Sequence, residues 1–241
     1  MADFVLVHGG LAGAWCWALF EPELERLGHR THTLDLPIED PAATLDDYAA
    51  AVVAVMRGLE RPAWLVGHSM GGLVVPRAAL AHPAAGLIFL CAGFPPTSEA
   101  EHQENERTRN PGNAAHFIPA GEGRILLSFE SAAHDFFNDC PPELQRWGHD
   151  RFRPQATAPF SDYAPIARYP DVPMHAIVGA DDNIVLRPEH SEMIRRRIGV
   201  EPVVLPGGHC PFVARPRLLA EVVHRMVGGV AAPDRRDPRL G

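Results

Sequence analysis

The chain has no lysine, so its 22 arginines carry all of its fixed positive charge. A mechanism that needs a lysine Schiff base or a phosphate-loop lysine is therefore excluded for this chain. Positive charge is scarce overall: 30 acidic residues leave a net charge of -8, the wrong sign for the cationic footprint of a nucleic-acid binder. Cysteine is sparse. Cys16, Cys91, Cys140 and Cys210 stand far apart with no Cys-x-x-Cys pair, which is neither a zinc spacing nor a disulfide framework in 241 residues. Long apolar runs are missing too, since none approaches the roughly 20 residues needed to cross a bilayer. The first residues, Met-Ala-Asp-Phe-Val-Leu-Val, show neither a basic region nor a small-residue cleavage site, so no signal peptide is expected. A content of 46% hydrophobic and 22% charged residues is that of an ordinary globular protein with room for a large core. One soluble, cytoplasmic domain, with or without an insertion, is the expectation, with neither a nucleic-acid nor a membrane partner.

Short β-rich runs alternate with longer helical patterns. The runs are Phe4–Val7, Thr31–Leu36, Ala63–Gly67, Gly86–Cys91, Met174–Gly179 and Glu201–Leu205. Several are almost uninterrupted apolar stretches, as strands buried on both faces require. Helical patterns lie at Ala14–Leu27, Thr44–Leu59, Ser69–Ala81, Arg187–Arg197 and Arg215–Met226. Thr44 is placed to cap its helix with Asp47 three residues on, and Gly58 and Pro62 mark that helix's end. This alternation predicts an α/β fold: about six mostly parallel strands with helices on both faces.

The regularity breaks between residues 94 and 173. Prolines and polar turns there separate short amphipathic pieces such as Glu122–Phe129, Ser131–Phe137 and Glu143–Phe152, and the stretch supplies Phe117, Phe129, Phe136, Phe137 and Trp147. About 80 residues is too long for an ordinary loop, and the stretch is too apolar for disorder. A helical lid inserted over the sheet's carboxyl edge is expected at 94–173, with 1–93 and 174–228 forming the core. The Gly/Pro/Arg/Asp-rich tail at 229–241 has no periodicity and is expected to be disordered.

The sharpest chemical signal is Gly67-His68-Ser69-Met70-Gly71, between a strand and a helical run. A serine on so tight a turn needs small residues two before and two after, and Gly67 and Gly71 meet that demand. The turn lifts Ser69 Oγ from the sheet edge and aims the following helix's N-terminus at any oxyanion formed there. A second signal, Val7-His8-Gly9-Gly10, closes the first strand, and the N–H groups of Gly10 and Met70 together suit an oxyanion hole. His8 reads as a residue that orders the loop. Serine needs a base, and the base an orienting acid. Of 13 histidines, His209 follows the last strand within Pro206-Gly207-Gly208-His209, where the two glycines allow the imidazole to fold over Ser69. For the acid, Asp181 and Asp182 both follow the fifth strand, and either completes the chain order serine, aspartate, histidine.

These pieces resemble the α/β-hydrolase superfamily, and within it the small group of plant methylesterases, hydroxynitrile lyases and bacterial esterases. The matching segments are FVLVHGGLAGAWCW at 4–17, VGHSMGGLV at 66–74, IVGADDNIV at 177–185 and GGHCPFVARP at 207–216, which span the whole core in order. The resemblance implies Asp182 rather than Asp181 as the acid, Gly10 and Met70 as oxyanion donors, and strands ordered 2-1-3-4-5-6. It also carries a departure. The lyases have a lysine after the catalytic histidine and a threonine after the first histidine, where this chain has Cys210 and Gly9. Without an ammonium group to steady a cyanide leaving group, the esterase reading is favoured.

The expectation is a serine carboxylesterase for small to medium esters, working through an acyl-enzyme without metal or organic cofactor. Its partner is a small-molecule ester, and a homodimer is the commonest assembly for such a chain. Trp17, Phe136, Phe137 and Trp147 are the aromatic residues expected to line the pocket beside Met70, although packing between lid and core explains each as well. Arg151, Arg153, Arg195, Arg196 and Arg197 read as a solvated face. A lyase, a cofactor-free oxygenase, a thioesterase or cyclase, and a slow-turnover small-molecule receptor are the rival activities on the same scaffold.

Overall fold

Alternate residues of the buried strands point to opposite faces of one sheet, and two separate cores result. Phe4, Leu6, Val66, Ile88, Leu90 and Ile177 join one cluster, while Val5, Val7, Leu65, Leu87, Phe89, Ala176 and Val178 join the other. This computed structural model describes residues 1–108, 116–161, 163–185 and 187–228. The strands are β1 (Asp3–Val7), β2 (Arg30–Thr33), β3 (Trp64–His68), β4 (Gly86–Leu90), β5 (Phe117–Pro119), β6 (Arg124–Leu127), β7 (Gln155–Ala156), β8 (Met174–Gly179) and β9 (Val203–Leu205). The main sheet runs β2-β1-β3-β4-β8-β9 with every neighbouring pair parallel. The chain starts in mid-sheet, steps outward to β2 and crosses back to β3. The carboxyl ends of β1 and β3 therefore flank the point where the winding reverses, the usual crevice of an open α/β sheet.

The helices are α1 (Glu21–Arg26), α2 (Leu45–Arg57), α3 (Gly71–Ala81), α4 (Glu99–Thr108), α5 (Phe129–Asp135), α6 (Pro142–His149), α7 (Ala158–Ser161), α8 (Arg187–Ile198), α9 (Pro211–Ala214) and α10 (Pro216–Val227). Buried residues of α1, α9 and α10 pack in the first core, and those of α2, α3 and α8 in the second. The Thr44 cap forms as expected: its hydroxyl accepts from Asp47 N at 3.2 Å, and the Asp47 carboxylate accepts from Thr44 N at 2.8 Å. No helix among the described residues is long and apolar enough to cross a membrane.

Three elements differ from their sequence expectation. The helix expected over 14–27 splits into a single tight turn, Ala14–Trp17, and α1. Pro22 lies in the first turn of α1, where its missing N–H costs nothing; inside one long helix it would break the ladder. β2 stops at Thr33, because the Leu36 N–H is drawn to His8 Nε2 at 3.0 Å instead of a strand partner. The amphipathic piece at 122–129 holds a strand. Gly121, Glu122 and Gly123 all have φ between 49° and 76°, which no helix tolerates, and β6 then pairs with β5 and β7 in a three-stranded antiparallel sheet. The segment between β4 and β8 thus combines α4–α7 with that small sheet. The tail at 229–241 lies outside the described residues. All four cysteines are free and buried.

The expectation of a solvated arginine face fails at Arg197, whose side chain is 2% exposed. It donates to Asn105 Oδ1 at 2.8 Å, the Glu101 carbonyl at 2.6 Å and Glu104 Oε2 at 2.9 Å, tying α8 to α4. At the opposite edge from the strands' carboxyl ends, the Asp3 carboxylate, 1% exposed, receives Arg30 Nε at 2.6 Å, Arg61 Nε at 2.7 Å and His32 Nε2 at 3.2 Å. Hydrogen bonds from Arg30, then from Arg61 and His32, hold its carboxyl well below the ordinary 3.8, against the burial that would raise it. A depressed carboxyl stabilises the fold above the unfolded value and loses that contribution as pH falls below it. Asp3→Asn should therefore lower stability by about 2 kcal/mol at neutral pH. It should also flatten the loss of stability on acidification below about pH 4, as measured by urea unfolding across that range. A variant as acid-sensitive as the native chain would refute this role.

Candidate active site

Ser69 sits on the β3–α3 turn with φ 50°, a left-handed conformation that a serine adopts only under constraint. Its surroundings explain the glycines. A β-carbon on Gly67 would come within 2.6 Å of the Gly71 carbonyl oxygen, one on Gly71 within 2.6 Å of the Val7 oxygen, and one on Gly9 within 2.8 Å of Ser69 Cβ. Ser69 N donates to the Leu90 carbonyl at 3.2 Å, while Gly72 N and Gly93 N donate to the Ser69 carbonyl at 3.0 and 2.9 Å. Its neighbours His68 and Met70 are buried, but Ser69 itself remains partly exposed.

His209 and Asp182, from the loops after β9 and β8, meet. The ring nitrogen Nδ1 lies 2.9 Å from Asp182 Oδ2, with both side chains 1% exposed. Asp182 Oδ1 accepts from Ile184 N at 2.8 Å, so the carboxylate is fixed at both oxygens. Burial alone would raise this carboxyl, but the His209 ring and the Ile184 and Val185 amides outweigh it and hold it below the ordinary range. His209 Nε2 is buried and has no hydrogen-bond partner among the described residues. Asp181, the alternative acid, is exposed; its carbonyl accepts from Asn138.

His68 bridges the two halves of the site. Its ring centroid lies 4.7 Å from that of His209, and its Nε2 donates to the His209 carbonyl at 3.0 Å. Burial holds His68 well below the ordinary histidine range, hence neutral. His8 orders its loop, as its position suggests. The Leu36 N–H donates to Nε2, so Nδ1 carries the proton and donates to the Gly9 carbonyl at 2.7 Å. Burial pushes His8 down to about 4, and His190, packed against Phe94, likewise to about 4.

Gly10 and Met70 are buried, and neither backbone N–H has a protein acceptor among the described residues. The loop carrying Gly10 is clamped by residues that motif reading missed. Gln155, 0% exposed, accepts from Leu11 N at 3.4 Å, where Leu11 has φ 64°. Arg153 N donates to the Leu11 carbonyl at 2.7 Å, and the Arg153 guanidinium reaches Asp35 and Glu39. The Phe160 ring lies over Gly10, within 2.8 Å of where a β-carbon would stand. No sequence signal marks Gln155, because its partner Leu11 lies 144 positions away.

Of the four aromatic residues expected around the pocket, Phe136 stands edge-on to His209 at 5.3 Å between ring centroids. Phe137 is 1% exposed and stacks on Phe152 at 5.8 Å. Trp147 is half-buried and meets Trp15 edge-on at 5.3 Å. Trp17 is fully buried between Phe212 at 4.7 Å and His68 at 6.4 Å. The loop of Asp182 is held from α5 and the turn after it: Asn183 Nδ2 donates to the His134 carbonyl and Asn138 Nδ2 to the Asp181 carbonyl, both at 2.8 Å.

A protein-family model described as the alpha/beta hydrolase family matches residues 4–222. A pyrethroid hydrolase from Sphingobium wenxiniae is 29% identical over 98% of this chain and 94% of its own length. Methylesterase 8 of Arabidopsis thaliana is 28% identical over 90% of this chain and 86% of its own. The crystal structure of polyneuridine aldehyde esterase superposes with a TM-score of 0.79, covering 92% of this chain and 97% of that one at 22% identity, a likeness of fold.

Histidines with lowered values bind fewer protons in the folded chain than in the unfolded chain below about pH 6.5, so acidification through that range toward 4 destabilises the fold. Titration of His8 followed by imidazole nitrogen shifts should give a midpoint near 4 and an Nδ1–H tautomer above it. A midpoint at the ordinary 6.5 would contradict the burial described here.

Proposed function

The chain belongs to the alpha/beta hydrolase family and is an esterase-type hydrolase, and on that premise we propose that it cleaves small to medium carboxylic esters by a serine mechanism. Ser69 is the nucleophile, His209 the base and Asp182 the acid that holds the base. One observation carries the reading. A histidine whose Nδ1 is bound by a buried carboxylate has a buried, unpartnered Nε2, and its ring centroid lies 4.7 Å from that of His68, the residue preceding a serine on a strained turn.

Ser69 Oγ attacks the acyl carbon as His209 Nε2 takes its proton. The imidazolium so formed is stabilised by Asp182, which also keeps the proton of the resting ring on Nδ1. Negative charge gathers on the former carbonyl oxygen, and the N–H groups of Gly10 and Met70 receive it. Their lack of protein acceptors supports this role. His209 then protonates the leaving alcohol, and water attacks the acyl-enzyme by the same route in reverse. The segment at 94–173 acts as a lid over this edge. Phe136 forms the wall nearest the base, Trp147 the outer wall, and Trp17 and Phe137 hold them from behind. Two relatives named as a hydrolase and a methylesterase support an ester as the substrate.

The test is hydrolysis of a p-nitrophenyl ester series of increasing acyl length. Wild type should show a burst followed by steady turnover, and Ser69→Ala should lose kcat by on the order of 10⁴-fold or more. Asp182→Asn should lose on the order of 10⁴-fold through the wrong tautomer, with little change in KM. Turnover that survives in Ser69→Ala would remove the nucleophile assignment. An inert wild type that is still labelled by a fluorophosphonate at Ser69 would keep the assignment and overturn the substrate class.

A further inference from the structure

Outside the catalytic edge, one cluster of side chains is arranged for a ligand of its own. Asp135, the last residue of α5, has a side chain only 2% exposed, and each of its oxygens faces a different histidine. His116 Nδ1 lies 2.6 Å from Oδ2, and His134 Nδ1 lies 2.7 Å from Oδ1. One ligand atom from each of the three residues lies within 4.8 Å of the others. Among the described residues, the ion-pair partners of Asp135 are these two imidazoles, with no arginine beside them. A carboxylate this deeply buried needs a positive partner, and two imidazoles converge on it from opposite oxygens.

We propose that His116, His134 and Asp135 form a binding site for one divalent transition-metal ion of the zinc class. Two imidazole nitrogens and one carboxylate are a donor set that borderline cations accept. Metal–ligand bonds of about 2.0–2.2 Å put neighbouring ligand atoms roughly 3–3.6 Å apart, so an ion between the two Nδ1 atoms and the carboxylate requires each ring to draw back from the oxygen it now faces by roughly 1 Å or less. Each ring that coordinates through Nδ1 keeps a proton on Nε2, and any proton beyond that one, shared between Nδ1 and the carboxylate, leaves to solvent as the ion enters. Both histidines remain accessible, at 35% and 64% side-chain exposure, which leaves an entry path and room for a fourth, exchangeable ligand.

The site bears on the catalytic edge through α5. The His134 carbonyl accepts from Asn183, next to Asp182, and Phe136 follows Asp135 directly and stands against His209. An ion that pins His134 and Asp135 to His116 thereby stiffens the support of the acid loop. This role does not depend on which ester the protein cleaves.

The experiment is calorimetric titration of the chelator-treated full chain with zinc alone, with cobalt as a spectroscopic probe. One ion per chain is expected, together with a rise in melting temperature and a cobalt absorption in the visible range typical of a four-coordinate nitrogen and oxygen site. His116→Ala and His134→Ala, both at accessible positions, should each weaken binding by roughly tenfold or more and abolish the melting shift. His82→Ala, at the end of α3, should leave both unchanged. Asp135→Asn should abolish binding, and if it does not fold, the two histidine variants decide the matter. Zinc bound equally by wild type and both histidine variants, or no zinc bound by wild type in equilibrium dialysis, overturns the proposal.

Discussion

The molecule turns on a crowding constraint at the end of β3. The left-handed Ser69 is compatible with its neighbours only because backbone from three strands closes around it without side chains. Gly9 after β1, Gly67 and Gly71 around the elbow, and Gly72 against the Gly93 carbonyl each stand where a β-carbon would strike its neighbour. A strained residue persists when its surroundings over-determine it, and here three backbone hydrogen bonds at the Ser69 peptide do so. The order β2-β1-β3-β4 follows as a requirement of the site as much as of the sheet, since β1 and β4 supply the walls that hold the turn.

The other half of the site is held differently. Asp182 and His209 come from loops after β8 and β9, and loops keep such geometry only with outside support. That support comes from the segment between β4 and β8. Asn138 and the His134 carbonyl bind the acid loop, an ion pair joins Arg215 to Asp139, and Phe136 packs on the His209 ring. On the far side, Gln155 and Arg153 hold the loop of Gly10 and Leu11. The proposed lid is thus also the scaffold of both loops. Motion of its inner layer would disturb both loops.

What could be read from the sequence divides along the same line. Gly67, Ser69 and Gly71 were legible because an elbow is a local property, set by one turn and the space at its neighbours. Asp182 and His209 were legible because strand order alone brings the ends of successive strands to one edge, although Asp181 and Asp182 could be separated only by resemblance. Gln155 was not legible: the amide it serves, on Leu11, lies 144 positions away. Arg197 was misread for a similar reason, since its neighbours in a charged helix suggest solvent while its partners sit on α4, more than 90 residues earlier. The strand at Arg124–Leu127 was hidden because its apolar run is too short to show a period.

Burial sets the state of the histidines around the proposed base. It drives His8, His68 and His190 toward the neutral form, since desolvation of their rings outweighs what nearby carboxylates such as Asp35 and Asp182 offer them. His209 differs in its direct partner: its Nδ1 meets Asp182, whose carboxyl is held below the ordinary range by that ring and by two backbone amides. In the proposed mechanism the proton leaving Ser69 reaches an imidazole paired with an anion, while the ring centred 4.7 Å away stays uncharged and adds no repulsion. His68 is useful there because it does not titrate. Held neutral, it donates Nε2–H to the His209 carbonyl and fixes the main chain of the base, a task that a charged ring at the same distance would perform only by working against the imidazolium it supports.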